Sequence, residues 1–369
     1  QSSSARARNL KSAEQKRQRS INLSKHLTAI REGSANSGIL HELAGVWMDH
    51  YTDTHGKTPL ERFDSYCENG SEVLDAAERG FFHCPERTDL PSITEIIDLS
   101  TKGREHYIRK PCLIGMELRW QKGASFVDEL GDDNLRRMFA FRLTYGVENT
   151  PEWFTHFVGG RPELLAEVLT EYAVTTLKAR RDFISGIYPL ANDPIYSSVA
   201  RFAVPAILTA FPIRAKSPLL SQLDYLLKAA LRYTAEPLAG LIEKKLAAKG
   251  MDVAQKVYWL TTAMLLDPLE YEPQLWQYIG RNWIRANHLC AFLDDGFDGI
   301  SNDYALSSGM LGKLIELLSP HAEFERRSGI VTGAMRRGDS IRAMVIRLGA
   351  LATDDAAREI ERLLAQPAL

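Results

Sequence analysis

The chain has 369 residues, 45% of them hydrophobic and 25% charged, with a net charge of −2. This balance excludes wholesale disorder, and no window of about 18 uninterrupted apolar residues is present to span a membrane. The four cysteines, Cys67, Cys84, Cys112 and Cys290, stand singly, which excludes a disulfide scaffold and a paired CxxC zinc site.

At about 150 residues per domain the length suggests two or three domains. The expected divisions are a basic helical arm over 1–36, a helical domain over 37–160 and a helical-repeat region over 161–369. Residues 1–31 hold Arg6, Arg8, Lys11, Lys16, Arg17, Arg19, Lys25 and Arg31 against the single acid Glu14, a net +7 against −9 on the remaining 338 residues. Such an arm docks on its own body, contacts phosphate or simply stays solvated, and Lys16, Arg17 and Arg19 are candidate contacts. Aromatics do not interleave with these charges, so a stacking platform for single strands is absent and only weak nucleic-acid contact is expected. The chain begins at Gln1 rather than Met and shows no apolar signal core, which suggests a cytoplasmic segment of something longer.

Helix signals follow in close succession. Thr58-Pro59-Leu60-Glu61 reads as a capping box with Pro at the first helical position, and Asn69-Gly70 as its stop. Val73, Leu74 and Ala77 form a short stripe expected to end at Gly80. Arg161-Pro162-Glu163 opens a helix lined by Leu164, Leu165, Val168, Leu169 and Tyr172. Ser217-Pro218 and Glu236-Pro237 open two more, and Asp252 caps a fourth that closes at Asp267-Pro268. Glu272-Pro273 is expected to open a fifth carrying Leu275, Ile279 and Trp283. At the C-terminal end Asp339 precedes a stripe of Ile341, Met344, Val345, Leu348 and Leu351. After Thr353-Asp354-Asp355 comes a second stripe, Ala356, Ala357, Ile360, Leu363 and Leu364. Neither helix can bury its stripe alone, so the pair must stack on a neighbour. Helix pairs of roughly 30 to 40 residues predict an all-α fold, an irregular HEAT- or armadillo-like α-solenoid.

The stretch Thr150-Pro-Glu-Trp-Phe-Thr-His-Phe-Val-Gly-Gly-Arg-Pro-Glu-Leu-Leu-Ala-Glu-Val-Leu169, and the pair from Ser340 to Pro367, resemble the helical C-terminal regions of large bacterial NACHT- or STAND-type ATPases. The resemblance carries no catalytic motif. It implies a sensor or scaffold segment of an antiphage-defence protein in which ATPase, sensor and effector share one chain.

Candidate chemistry is sparse. His55-Gly56-Lys57-Thr58 looks like the end of a phosphate-binding loop, but Tyr51 stands where the first glycine belongs. Ser308-Gly309-Met310-Leu311-Gly312-Lys313 fails the same spacing test. Asp294, Asp295 and Asp298 have the DDxxD spacing that suits magnesium diphosphate, although Gly296 and Gly299 argue for a loop rather than the helix such a motif needs. Asp224 with Glu243-Lys244-Lys245 has the shape of a nuclease D…ExK pattern, yet both parts fall in leucine-patterned helices, where Glu243 and Lys245 would be solvated. His50, His55, Cys67, His83 and Cys84 are spaced poorly for zinc. Arg326, Arg327, Arg336, Arg337, Arg342 and Arg347 form a second basic concentration that could meet phosphate or an acidic partner. The expectation is a binding module without a cofactor, acting on a protein partner or on other domains of its own polypeptide. A metal-dependent enzyme built on the three aspartates and a nucleic-acid-binding repeat protein are the alternatives.

Overall fold

The computed structural model describes residues 3–51, 56–146, 149–215, 217–294, 304–325 and 331–365, with side chains from residue 10 onward. The fold is all-α: the chain is 76% helical, with no strand among the described residues. Two compact units share it, residues 1–203 and residues 204–369.

The first unit contains α1 (Ser3–Ser24), α2 (Leu27–Arg31), α3 (Ser37–Trp47), α4 (Pro59–Tyr66), α5 (Gly70–His83) and α6 (Ile93–Thr101). After these come α7 (Arg109–Lys122), α8 (Ser125–Asp128), α9 (Asp132–Tyr145), α10 (Glu152–Gly160), α11 (Pro162–Lys178) and α12 (Ile187–Asn192), and α13 (Ser197–Ala210) begins here. Helix α5 packs on α2, α4 and α7, and α9 packs on α6, α7 and α11. The core between them is aromatic: Phe63, Phe81, Phe139, Phe141, Trp153 and Phe157 are fully buried, and Phe139 meets Phe154 and Phe157 edge-on at 5.7 and 5.8 Å.

Local signals set several boundaries as expected. Thr58 accepts from Glu61 N while Glu61 reaches back to Thr58 N, the reciprocal capping box. Pro162 opens α11, and all five of its expected apolar positions are buried. Gly80 does not stop α5, which runs three residues past it to His83. A Cβ at Gly80 would lie 1.9 Å from Ile30 O, so the glycine marks the point where α5 crosses α2.

In the second unit α14 (Ser217–Tyr233), α15 (Ala235–Leu246), α16 (Val253–Leu266), α17 (Pro268–Ile279) and α18 (Trp283–Leu293) precede α19 (Ser308–Leu318), α20 (Gly333–Leu351) and α21 (Asp354–Leu364). Helix α16 is buried along most of its length and packs on α14, α15, α17 and α18; α18 meets α19, and α19 meets α20 and α21. Each helix thus buries its stripe on near neighbours in sequence, the stacking order of a solenoid. Glu272-Pro273 does not open a helix. Asp267 caps α17 by accepting from Glu270 N, Pro273 lies inside it, and Trp283 begins α18 beyond the positive-φ Gly280. Asp252 precedes α16 as expected, but its carboxylate accepts from Ala215 N at 2.7 Å instead of capping its own helix.

Candidate functional site

The terminal helices of the second unit form an apolar cleft. Helix α20 starts not at Asp339 but six residues earlier at Gly333, where Thr332 accepts from Met335 N. It ends at Ala352, whose left-handed backbone reverses the chain into Thr353, the cap of α21. Ile341, Met344 and Leu348 from α20, with Ala356 and Leu363 from α21, are buried with the apolar face of α19. The stripe is wider than that face. Val345, Ile346 and Leu364 remain 47%, 73% and 81% exposed and open onto a groove of about 540 Å³ that also touches Phe324, Ile315 and Ile360. Among the described residues Arg342 is the one charged side chain lining it; its guanidinium pairs with Asp339 at 2.9 Å, donates to Phe324 O and stacks 5.7 Å from the Phe324 ring.

Other sequence-selected residues meet elsewhere in this unit. Asp294, Arg336 and Arg337 line one cavity of about 370 Å³ with Asn287, Cys290 and Ser340. Arg337 lies 5.1 Å over Trp283 and donates to His321 O at 2.8 Å, while Trp283 stacks on His321 at 4.2 Å. The Cys290 thiol is pushed up to about 11 by burial, which keeps it protonated and poorly nucleophilic. Behind Asp294, Lys228 donates to its carbonyl at 3.1 Å and pairs with Asp224 at 2.9 Å. Arg347 donates to Tyr304 O. Asp295, Asp298, Arg326 and Arg327 lie outside the described residues. Among the described residues, no three His, Cys, Asp or Glu side chains are placed to share a metal ion.

Glu243 is exposed on α15. Lys245 is not the solvated residue its helix position suggested: it donates to Thr209 O and Phe211 O and lies 6.0 Å from the Trp259 ring. Its ammonium is committed to carbonyls, an arrangement that offers nothing to a phosphodiester.

In the first unit, the arm docks by its C-terminal half. Ser20 accepts from Glu68 N at 2.6 Å, Leu23 is buried, and Arg19 lies 4.4 Å over the Tyr66 ring. Lys16 is half-buried and Arg17 is exposed. The groove was half-visible in the sequence. Its stripe was legible, but Phe324 and Ile346 were not, and the only local signal was Val345-Ile346, adjacent apolar residues of which one helix face can bury one.

What the fold and the groove define is a class, an all-α protein of stacked helices with an open apolar groove. No family model, curated protein or solved structure matches the chain. No described helix is long and apolar enough to cross a membrane.

Proposed function

We propose that this chain is a non-catalytic helical binding module, a sensor or scaffold segment, that takes an amphipathic helix of a partner protein into the groove between α20 and α21. The supporting observation is the set Val345, Ile346 and Leu364, apolar side chains left open along a single groove. Such anchors contribute ~1.5–3 kcal/mol each when fully covered, and a helix bearing apolar residues at i, i+3, i+4 and i+7 fits a groove of this kind. Charge selects among such helices. Helix α20 carries Arg336, Arg337, Arg342 and Arg347 against Asp339 alone, so the partner helix carries a carboxylate flank that meets Arg342. The resemblance of residues 150–169 and 340–367 to NACHT- and STAND-type proteins extends the proposal: the partner helix belongs to another domain or subunit of a cytoplasmic bacterial defence NTPase.

The test uses two labelled helical peptides with the same apolar face, one flanked by Glu and one by Lys, titrated by fluorescence anisotropy. The acidic peptide should bind about tenfold tighter, a difference of ~1.4 kcal/mol. Ile346→Glu should abolish binding and Arg342→Glu should reverse the preference. Binding of neither peptide, or binding indifferent to Ile346→Glu, overturns the proposal.

A further inference from the structure

The groove between α20 and α21 asks of its occupant an apolar face and a carboxylate flank, and α21 itself carries both. Along that helix Ala357, Ile360 and Leu364 recur at i, i+3 and i+7, beside the buried stripe of Ala356 and Leu363. Ala357 is exposed, Leu364 is 81% exposed, and Ile360 and Leu364 together form one wall of the groove. Asp354 and Glu361, also seven residues apart, fall along the outer edge of the same face. Both are exposed, and among the described residues neither makes an ion pair, whereas Asp355 is held by Arg358 and Glu359 by Arg362.

Charge divides the hairpin. Helix α20 has four arginines and one aspartate, a net +3, while α21 has four carboxylates and two arginines, a net −2. An apolar patch with a basic helix on one side and an acidic helix on the other is complementary to a copy of itself. A two-fold axis running along the groove lays α20 of each copy over α21 of the other. An axis across the groove would set α20 on α20 and α21 on α21, like charge on like, at a cost in energy. The register agrees with the first arrangement. Arg342 stands ten residues before Ala352, where the chain reverses, and Glu361 stands nine after it. The two therefore lie at nearly the same height of the hairpin, and an axis along the groove keeps them level. The Arg342 pair with Asp339 is open to exchange, its side chains being 47% and 39% exposed.

We propose that the occupant of the groove is a second copy of this chain, in a two-fold dimer. Each copy lays Ile360 and Leu364 over Val345 and Ile346 of the other, and sets its Glu361 against the other's Arg342. This rests on the reading of the groove as the seat of an acid-flanked helix, and it names that helix.

Sedimentation equilibrium on the full chain tests it. The mean mass should rise from one chain toward two over about a hundredfold rise in concentration. Ile346→Glu, at a position 73% exposed, should hold the mass at one chain. Arg342→Glu and Glu361→Arg should each weaken self-association about tenfold or more, because each places like charges across both contacts of the dimer. An equimolar mixture of these two variants should regain association, because only the mixed dimer sets opposite charges across both contacts; that recovery also shows that both variants fold. A chain that stays single at every concentration overturns the proposal. So does self-association that Ile346→Glu leaves intact, or a mixture that associates no better than either variant alone. The acid-flanked peptide separates this failure from that of the groove reading. A single chain that binds the peptide loses the dimer and keeps the groove reading, and a single chain that does not bind it loses both.

Discussion

The buried pair Asp224 and Lys228 on α14 makes stability depend on pH in a calculable way. Their charged atoms lie 2.9 Å apart and their side chains are 14% and 15% exposed. Attraction alone would draw the carboxyl below its usual range. Burial is the larger effect, with Asp294 adding repulsion, and the Asp224 carboxyl is pushed up to about 6 from 3.8. One of its oxygens, Oδ1, is buried without a partner. A carboxyl whose folded pKa lies above its unfolded value stabilises the fold while protonated. That contribution is full below about pH 4 and is lost as pH rises through about 6. A shift of about two units is worth ~3 kcal/mol.

The assay is urea unfolding of wild type and Asp224→Asn from pH 4 to pH 8. Every other titrating group is common to both chains, so the difference between the curves isolates Asp224. Wild type should lose up to ~3 kcal/mol relative to the variant between pH 4 and pH 7. Lys228→Met gives the complementary result. It leaves the carboxylate buried and unpaired, at a cost of ~3–5 kcal/mol near pH 7, and the loss should shrink toward pH 5 as Asp224 takes a proton. A flat difference curve for Asp224→Asn, or a neutral Lys228→Met at pH 7, would refute the reasoning.

Further predictions rest on single features. Gly80→Ala forces a methyl into Ile30 O and should destabilise the first unit by ~1–3 kcal/mol or more, read as a lowered melting temperature; an unchanged value would contradict the close crossing. Arg119 is 2% exposed, pairs with Glu86 and donates to Phe82 O and Phe126 O at 2.7 and 2.9 Å, so Arg119→Lys, which lacks the planar fork, should cost ~2–4 kcal/mol in chemical denaturation. Thr58→Ala should cost ~1 kcal/mol through the lost cap, with Thr58→Ser close to wild type. Millimolar Mg²⁺ should leave the melting curve unmoved and Asp295→Asn should stay within about 0.5 kcal/mol; Mg²⁺-dependent stabilisation abolished by that variant would put the metal-enzyme alternative first.

The sequence was most informative where the physics is local. Thr58 and Glu61, or Thr353 and Ala356, settle a helix start among themselves, because the orphan amides and the groups that satisfy them lie within one turn. It misled where a distant backbone decides. Gly80 has the local form of a helix stop, yet its role is set by Ile30 fifty residues earlier, and no property of the stripe around it carries that information. Asp252 has the form of a cap, but the nearer donor in space is Ala215 N.

The same division separates the groove from a cleft of about 520 Å³ in the first unit. That cleft draws Arg19, His41, Tyr66 and Tyr107 from four segments, and none of these residues is unusual in its own neighbourhood. The approach of Arg109, Lys110 and His41 to Glu105 becomes visible only when the start of α7 is laid against α3. The groove is different because part of it is a local excess. A helix packed on one side buries a stripe of one width, and α20 offers Val345 and Ile346 beyond the positions Ile341, Met344 and Leu348 that fill it. Apolar residues in excess of a buried stripe are therefore a signature of a binding face that a single sequence can hold. Their number supports the proposal that a partner covers them, and the charge beside them, here Arg342, is what the proposal uses to choose that partner's surface.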